Sequence, residues 1–162
     1  MSSDRVSGKA VSKAIPHAIP CPEETLFIEL CRTTDLLSRG PAELLREHDL
    51  SGNQYNVLRI LRGAPEGLLC GEIASRMVTR DPDITRLLDR LEKQQLVGRC
   101  REHPDRRRVH VRITARGLAL LARLDHPICE LHRRQLRHMS PKEQASLIRL
   151  LLACRRPLAV DS

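Results

Sequence analysis

The sequence predicts a mainly α-helical protein that carries one small β-hairpin. Apolar residues recur at three- and four-residue spacing over most of the chain, which is the period of amphipathic helices. The 162 residues include one Phe, one Tyr and no Trp, so Leu, Ile, Val and Ala have to build the core. One stretch departs from the helical period, because Val109, Val111 and Ile113 alternate with polar residues. Such alternation is typical of a β-strand.

The first two helices are predicted from apolar spacing and from capping residues. The first runs from residue 23 to about residue 39, and we expect Gly40-Pro41 to break or kink it before a further turn or two. Ser51 and Gln54 have the spacing of a capping box and predict the start of the second helix.

Two more helices are predicted in close succession. The third covers about residues 70–77, and after a three-residue turn Asp81 and Pro82 fit the N-cap and first position of a fourth. Two helices joined by so short a turn, the second with polar side chains outward, are the helix-turn-helix arrangement of DNA-binding proteins. We expect the outward side chains of the fourth helix to face DNA; they are Asp83, Thr85, Arg86, Asp89, Arg90 and Lys93.

These side chains have the chemistry that base and phosphate recognition needs. Arg86 and Arg90 can each donate to a guanine edge or a phosphate, and Thr85 can bind a phosphate or contact a thymine methyl. Asp83 either accepts from a cytosine amino group or complements the positive end of its own helix, and we favour the second role. The competing interpretation is that the charges only solvate a helix face.

A basic β-hairpin follows, and a hairpin after a helix-turn-helix is a wing. Its tip carries Asp105, Arg106, Arg107 and Arg108, and we expect one or two of the arginines to enter a minor groove while Asp105 orients Arg107. Between residues 76 and 116 the chain holds twelve basic and six acidic residues, a net +6 of its total +8. Charge concentrated on one unit predicts a phosphate-binding face, and so double-stranded DNA as a partner.

The C-terminal part is predicted to form two further helices. Thr114 is expected to cap a long fifth helix that Pro127 bends, and Ser140 with Glu143 forms a second capping box for a sixth. Residues 1–22 are expected to form a flexible basic arm.

Several classes of protein are excluded by what the sequence lacks. It has no apolar run that could cross a bilayer and no signal-peptide pattern, so we expect a cytoplasmic protein without membrane contact. Its six cysteines are far apart and its histidines are scattered, so we expect no metal site and no cofactor. The sequence contains no catalytic grouping and no phosphate-binding loop, so we do not expect an enzyme.

The segments 81–92, 96–97, 105–107 and 113–117 together resemble the MarR family of bacterial winged-helix transcriptional regulators. The resemblance implies a homodimer, joined through the N-terminal and last two helices, that binds a palindromic operator and usually represses. It places recognition on the helix at 81–93 and on Asp105 and Arg107 of the wing. The implied division of the chain is a helical dimerisation region at 23–50 and 114–157 and a DNA-binding lobe at 51–113.

The resemblance also implies a small-molecule effector, often aromatic or phenolic. A possible ligand cleft would use Phe27, Cys31 and Tyr55, although these offer few aromatic rings for stacking. A second departure is Gln95, which stands where the family usually has a Gly that ends the recognition helix in a left-handed conformation, so we expect another ending or a small strain.

Two alternative functions stay open from the sequence. One is a redox-responsive regulator that is switched by oxidation of Cys21 or Cys31, because one branch of the family has a reactive cysteine early in the first helix. The other is a winged-helix module that contacts proteins instead of DNA.

Overall fold

A computed structural model describes residues 21–79, 81–101 and 109–156. It confirms a mostly helical protein with a small antiparallel sheet. The elements in chain order are α1 (Pro22–Arg46), α2 (Gly52–Arg62), β1 (Leu68–Leu69), α3 (Cys70–Arg76), α4 (Ile84–Lys93), β2 (Val97–Arg101), β3 (Val109–Ile113), α5 (Ala115–Leu136) and α6 (Pro141–Arg155).

The chain divides into two compact units, residues 1–36 and 37–162. The described part of the first unit is residues 21–36, of which residues 22–36 belong to α1. The predicted arm at 1–22 falls almost entirely outside the described residues, and the division into a dimerisation region and a DNA-binding lobe stays a prediction. Within the described ranges, no helix is both long and apolar enough to cross a membrane.

Of the two outcomes predicted at Gly40-Pro41, a break or a kink, the break is wrong, because α1 continues to Arg46 with Pro41 inside it. Proline has no N–H, so the carbonyl of Leu37, four residues earlier, loses its helical donor. The side-chain amide of Gln135 on α5 supplies the replacement, since its Nε2 donates to the Leu37 carbonyl at 2.9 Å. Gly40 allows α5 to come this close, because a Cβ there would lie 3.2 Å from the Leu131 side chain.

The sheet has the strand order β1-β3-β2, and both pairings are antiparallel. The two predicted strands are present at 97–101 and 109–113, and β1 is an additional strand of two residues. Val111 in the central strand pairs with Leu68 on one side and with Arg99 on the other. Because Val111 and Leu68 are buried, the sheet presents this face to the core.

An aliphatic core holds α2, α3, α4, α5 and the sheet of the second unit together. Its side chains come from α2, α3, α4, the sheet and α5, as the composition required. The most completely buried are Val57, Leu58, Leu61, Ile73, Leu88, Leu91, Val111, Leu121 and Leu124.

Three predicted helix caps are confirmed. Ser51 and Gln54 form a reciprocal capping box on α2, Thr114 accepts the Gly117 N–H on α5, and Ser140 forms a second capping box with Glu143 on α6. Such caps satisfy backbone donors that have no partner inside the helix.

Candidate nucleic-acid interface

Helix α4 begins later than the sequence predicted. Asp83 is its N-cap and accepts the Arg86 N–H at 3.1 Å, so the prediction of Asp81 as N-cap and Pro82 as first helical residue is wrong. The reason is that the Asp81 carboxylate is already engaged. It accepts the Asp83 N–H at 3.0 Å and the Asn53 side-chain amide at 2.7 Å, and so it holds the turn that precedes the helix.

The turn between α3 and α4 is fastened to α2 by two asparagines. Besides its bond to Asp81, Asn53 accepts the Thr79 hydroxyl at 2.9 Å, and Asn56 accepts the Val78 N–H at 2.9 Å. The bonds from the Asp83 N–H and from Asn53 lower the pKa of Asp81, because both stabilise its carboxylate. Sequence reasoning missed Asn53 and Asn56, and the only available signal was two amides near the start of an amphipathic helix.

The two faces of α4 differ sharply. Leu87, Leu88 and Leu91 are buried on the inner face, which leaves the predicted recognition residues on the outer side. Of these, Thr85, Arg86, Arg90 and Lys93 are exposed, whereas Asp83 and Asp89 are half-buried.

On the outer face of α4 the acids are paired within the protein, whereas two of the cations have no ion pair among the described residues. Asp83 caps the helix and also pairs with Arg86, whose Nε lies 3.1 Å from its Oδ2. This is the helix-end role that we favoured from the sequence. Among the ion pairs of the described residues, none involves Arg90 or Lys93. These two side chains are therefore available to an external anion.

A pair of carboxylates on α4 is bound by a single arginine of β2. The Arg99 guanidinium lies 2.6 Å from Asp89 Oδ1 through Nη2 and 3.0 Å from Glu92 Oε2 through Nη1. The hydrogen bond with Asp89, together with the charges of both acids, raises the pKa of Arg99. We had predicted that Asp89 faces DNA, and no pattern in the sequence indicated Arg99 as its partner.

Helix α4 ends in a Schellman motif although it lacks the usual glycine. The Leu96 N–H donates to the Leu91 carbonyl and the Gln95 N–H to the Glu92 carbonyl. Gln95 takes the left-handed position with φ +59°. The small strain that we expected at Gln95 is thus present, and the family's helix ending is kept.

The predicted wing residues Asp105, Arg106, Arg107 and Arg108 lie outside the described residues. The strands that lead to them are described: β2 ends at Arg101 and β3 starts at Val109, and these two residues pair in the sheet. The predicted contacts of the wing tip stay predictions.

The three residues predicted for a ligand cleft fall in different units. Phe27 and Cys31 belong to the first unit and are exposed there. Tyr55 is a half-buried residue of α2, and the Arg59 guanidinium carbon lies 5.9 Å from its ring centre. That these side chains line one cleft stays a prediction. In the described ranges, His, Cys, Asp and Glu side chains nowhere gather in a group of three that could hold a metal ion.

Comparison with known proteins identifies the class. The MarR family profile matches residues 48–108. PecS of Dickeya dadantii strain 3937, an HTH-type transcriptional regulator, is 30% identical over 124 residues, which cover 75% of both chains. TtmR of Methylorubrum extorquens strain PA1, also an HTH-type transcriptional regulator, is 39% identical over 87 residues, 54% of this chain and 44% of TtmR.

A solved structure agrees with these relatives. The crystal structure of a MarR transcription factor from Planctomyces limnophilus shares 38% identity and superposes with a TM-score of 0.64, over 84% of this chain and 99% of that one. The chain belongs to the MarR family of winged helix-turn-helix transcriptional regulators. Its relatives in these comparisons are transcription regulators and not enzymes.

Proposed function

We propose that this chain is a homodimeric repressor that binds a palindromic DNA operator in the cytoplasm, with α4 in the major groove. The observation that carries the proposal is the arrangement of α4. Three buried leucines hold its inner face, and Thr85, Arg86, Arg90 and Lys93 are exposed on its outer side. A helix that reads bases needs such donors on a rigid support.

The electrostatics of α4 favour DNA over a protein partner. Asp83 is paired with Arg86, and Asp89 and Glu92 share the single charge of Arg99. Together with Arg90 and Lys93 these are four cations and three acids, so the net charge that faces an approaching molecule is positive. The proposed wing, with Arg106, Arg107 and Arg108, would add charge that enters the neighbouring minor groove.

The homodimer is supported by the C-terminal helix. In the single chain α6 has no buried residue, and its apolar side chains Leu147, Ile148, Leu150, Leu151 and Leu152 are all exposed. An apolar surface of this kind marks an interaction site. A symmetric dimer would cover it and would place two copies of α4 about one helical turn of DNA apart, ~10 bp between half-site centres.

Repression and a small-molecule effector are supported by relatives. The homoprotocatechuate degradative operon repressor of Escherichia coli is 28% identical over 79% of this chain. PcaV of Streptomyces coelicolor, a transcriptional regulator solved in complex with its natural ligand, is 26% identical with a TM-score of 0.67 and covers 87% of this chain. We extend both properties to this chain.

The test is a selection of bound fragments from random double-stranded DNA, followed by affinity measurements on the selected site. We expect a two-fold symmetric consensus and an affinity that falls with salt, with a log-log slope of about −0.9 for each phosphate neutralised. Arg90→Ala and Arg107→Ala should each weaken operator binding at least about tenfold.

The matched control is Lys142→Ala, which removes one positive charge from the first turn of α6. We expect it to keep the affinity of the unmodified protein within about twofold, because Lys142 belongs to neither α4 nor the wing. Selection of no consensus would overturn sequence-specific binding. Equal losses of affinity in Arg90→Ala, Arg107→Ala and Lys142→Ala would show that binding depends only on the total charge of the protein.

A further inference from the structure

The single arginine that binds two acids of α4 has a role that the family assignment does not supply. Asp89 and Glu92 are three residues apart and lie on the same side of the helix, and the two Nη atoms of Arg99 reach one carboxylate each. The planar guanidinium suits this geometry, because its donors have fixed directions. We call Arg99, Asp89 and Glu92 the clamp.

The strand end of the clamp is held by the sheet. Arg99 pairs with Val111, which is 2% exposed and pairs in turn with buried Leu68. The backbone from which the Arg99 side chain extends is therefore fixed to the core. On the other side, Asp89 and Glu92 belong to the outward half of α4 and lie between the exposed side chains of Arg86, Arg90 and Lys93 in the sequence.

The apolar contacts of α4 decide which face of the helix is buried, but they tolerate small rotations about its axis. Leu87, Leu88 and Leu91 face other aliphatic side chains, and hydrophobic attraction between such groups has no preferred direction. Charge-assisted hydrogen bonds are short and directional. Arg99 forms two such bonds, with Asp89 and Glu92 on successive turns of α4. Together they oppose rotation of α4 and its sliding along β2.

We infer that Arg99 is a positioning residue for DNA recognition: by binding Asp89 and Glu92 it sets the rotation of α4, so that Thr85, Arg86 and Arg90 meet base edges in register. Asp89 then acts inside the clamp and does not read a base. The inference rests on the proposed DNA-binding function of α4.

A direct phosphate contact by Arg99 is the competing role, and the structure disfavours it. The Arg99 side chain is 34% exposed, and both of its terminal nitrogens are committed to carboxylates. To reach a phosphate, the guanidinium would have to leave two acids without their cation. The two roles differ in what they predict for salt dependence, because only a phosphate contact releases a counterion.

The experiment measures two affinities for the full-length protein, one for the selected operator and one for a scrambled duplex, over a series of salt concentrations. For Arg99→Gln we expect the ratio of the two affinities to fall about tenfold or more, since a misplaced helix loses its base contacts. The affinity for the scrambled duplex and the salt slope should stay unchanged. Arg99→Lys should recover only part of the ratio, because an ammonium cannot span both acids.

Two neutral variants on α4 complete the test and decide it if Arg99→Gln does not fold. Asp89→Asn and Glu92→Gln keep an acceptor oxygen but remove the charge, and the clamp predicts a smaller fall in the ratio for each. Asp89→Asn combined with Arg99→Gln should be no worse than Arg99→Gln alone, because the partners act as one unit.

Three results would overturn the inference. The first is a ratio that stays constant in all the variants, even if their melting temperatures fall. The second is a salt slope that is less steep by about 0.9 in Arg99→Gln, which would identify a phosphate contact. The third is an unmodified protein that does not distinguish the two duplexes, which would overturn the proposed function as well.

Discussion

Helices α4 and α6 are both leucine-rich, but the leucines of α4 are buried and those of α6 are exposed. In α4 the apolar side chains Leu87, Leu88 and Leu91 are buried by the rest of the chain. In α6, by contrast, Ile148 is 59% exposed and Leu152 is 50% exposed. One helix is therefore positioned by its own chain, whereas the other keeps an apolar surface exposed.

The polar contacts of the two helices follow the same division. The start of α4 is held by Asn53 of α2, and its outer side by Arg99 of β2. The start of α6 is held by its own capping box and by Gln144, whose Nε2 donates to the Met139 carbonyl at 3.0 Å. Contacts with residues far away in sequence hold α4 against other elements. The contacts described for α6 are local, and they determine only where the helix begins.

The largest effect is expected inside α4. Leu91→Ala removes a side chain that is 0% exposed and should lower the free energy of unfolding by about 2–5 kcal/mol, from lost burial and the cavity that remains. Urea denaturation at fixed protein concentration measures it. Lys93→Ala, on the exposed side of the same helix, should change the value by less than about 0.5 kcal/mol. Similar losses for both would mean that α4 is not anchored as described.

The second prediction concerns the exposed side of α6. Ile148→Asp combined with Leu152→Asp places two charges on the proposed contact surface, and we expect the dimer dissociation constant to rise tenfold or more, about 1.4 kcal/mol. Sedimentation equilibrium gives the constant. The control is Ser146→Asp, an acidic substitution at an exposed polar position of the same helix. If the double variant dimerises as well as the unmodified protein, α6 lies outside the interface.

A smaller effect is expected at the end of α4. Gln95→Gly replaces a side chain at φ +59° by the residue that adopts this conformation without strain, and should raise the free energy of unfolding by about 0.5–1 kcal/mol. Gln94→Gly is the contrasting variant, because Gln94 has φ −77° and its side chain donates to the Asp49 carbonyl. We expect it to destabilise. In thermal unfolding, the melting temperature should rise for Gln95→Gly and fall for Gln94→Gly. A higher melting temperature for Gln94→Gly would contradict the explanation.

The smallest effect is a pH dependence at the start of α4. The lowered pKa of Asp81 means that its contribution to stability is present above the ordinary aspartate pKa, about 3.9, and is lost as the pH falls through the lowered value. Asn53→Ala should raise the pKa of Asp81, as followed by NMR titration of its carboxyl carbon. Asn56→Ala should leave it unchanged, since Asn56 binds the Val78 N–H instead.

The same titration distinguishes the start of α4 from the start of α6. There the pKa of Glu143 is also lowered, by hydrogen bonds from the side chain and backbone of Ser140. These partners are three residues apart, whereas Asn53 and Asp81 are 28 apart. In mild denaturant we therefore expect the pKa of Asp81 to rise when tertiary structure is lost, because the bond from Asn53 is broken, while the bond from the Asp83 N–H, two residues away, is local. If the pKa of Asp81 did not change on that loss, the Asp83 N–H alone would account for its lowering.

Much of the fold was predictable because its signals are local. The capping boxes at Ser51 and Ser140, the alternation at 109–113 and the apolar stripe of α4 each depend on residues a few positions apart. The wrong predictions concern positions at which a residue far away in sequence forms a hydrogen bond that the local pattern does not indicate. Gln135 satisfies the carbonyl that Pro41 leaves without a donor, and Asn53 engages the Asp81 carboxylate that was expected to cap α4.

The candidate site, too, was predictable only where the signal lies in neighbouring residues. The sequence placed Thr85, Arg86, Arg90 and Lys93 on the polar side of one helix, because helical periodicity assigns residues to faces. It did not show that Asp89 and Glu92 are bound by Arg99, since that contact depends on how α4 packs against β2.

The helical class, the helix-turn-helix with its strand pair, the aliphatic core and the basic character of residues 76–116 could all be predicted from residues a few positions apart, because spacing, capping chemistry and charge are properties of the chain itself. The folded structure was needed to show which acids of α4 are paired within the protein, why α1 continues through Pro41, and that α6 keeps its apolar side chains exposed. Hydrogen bonds and burial depend on distances between residues far apart in sequence, and these distances exist only once the helices have packed.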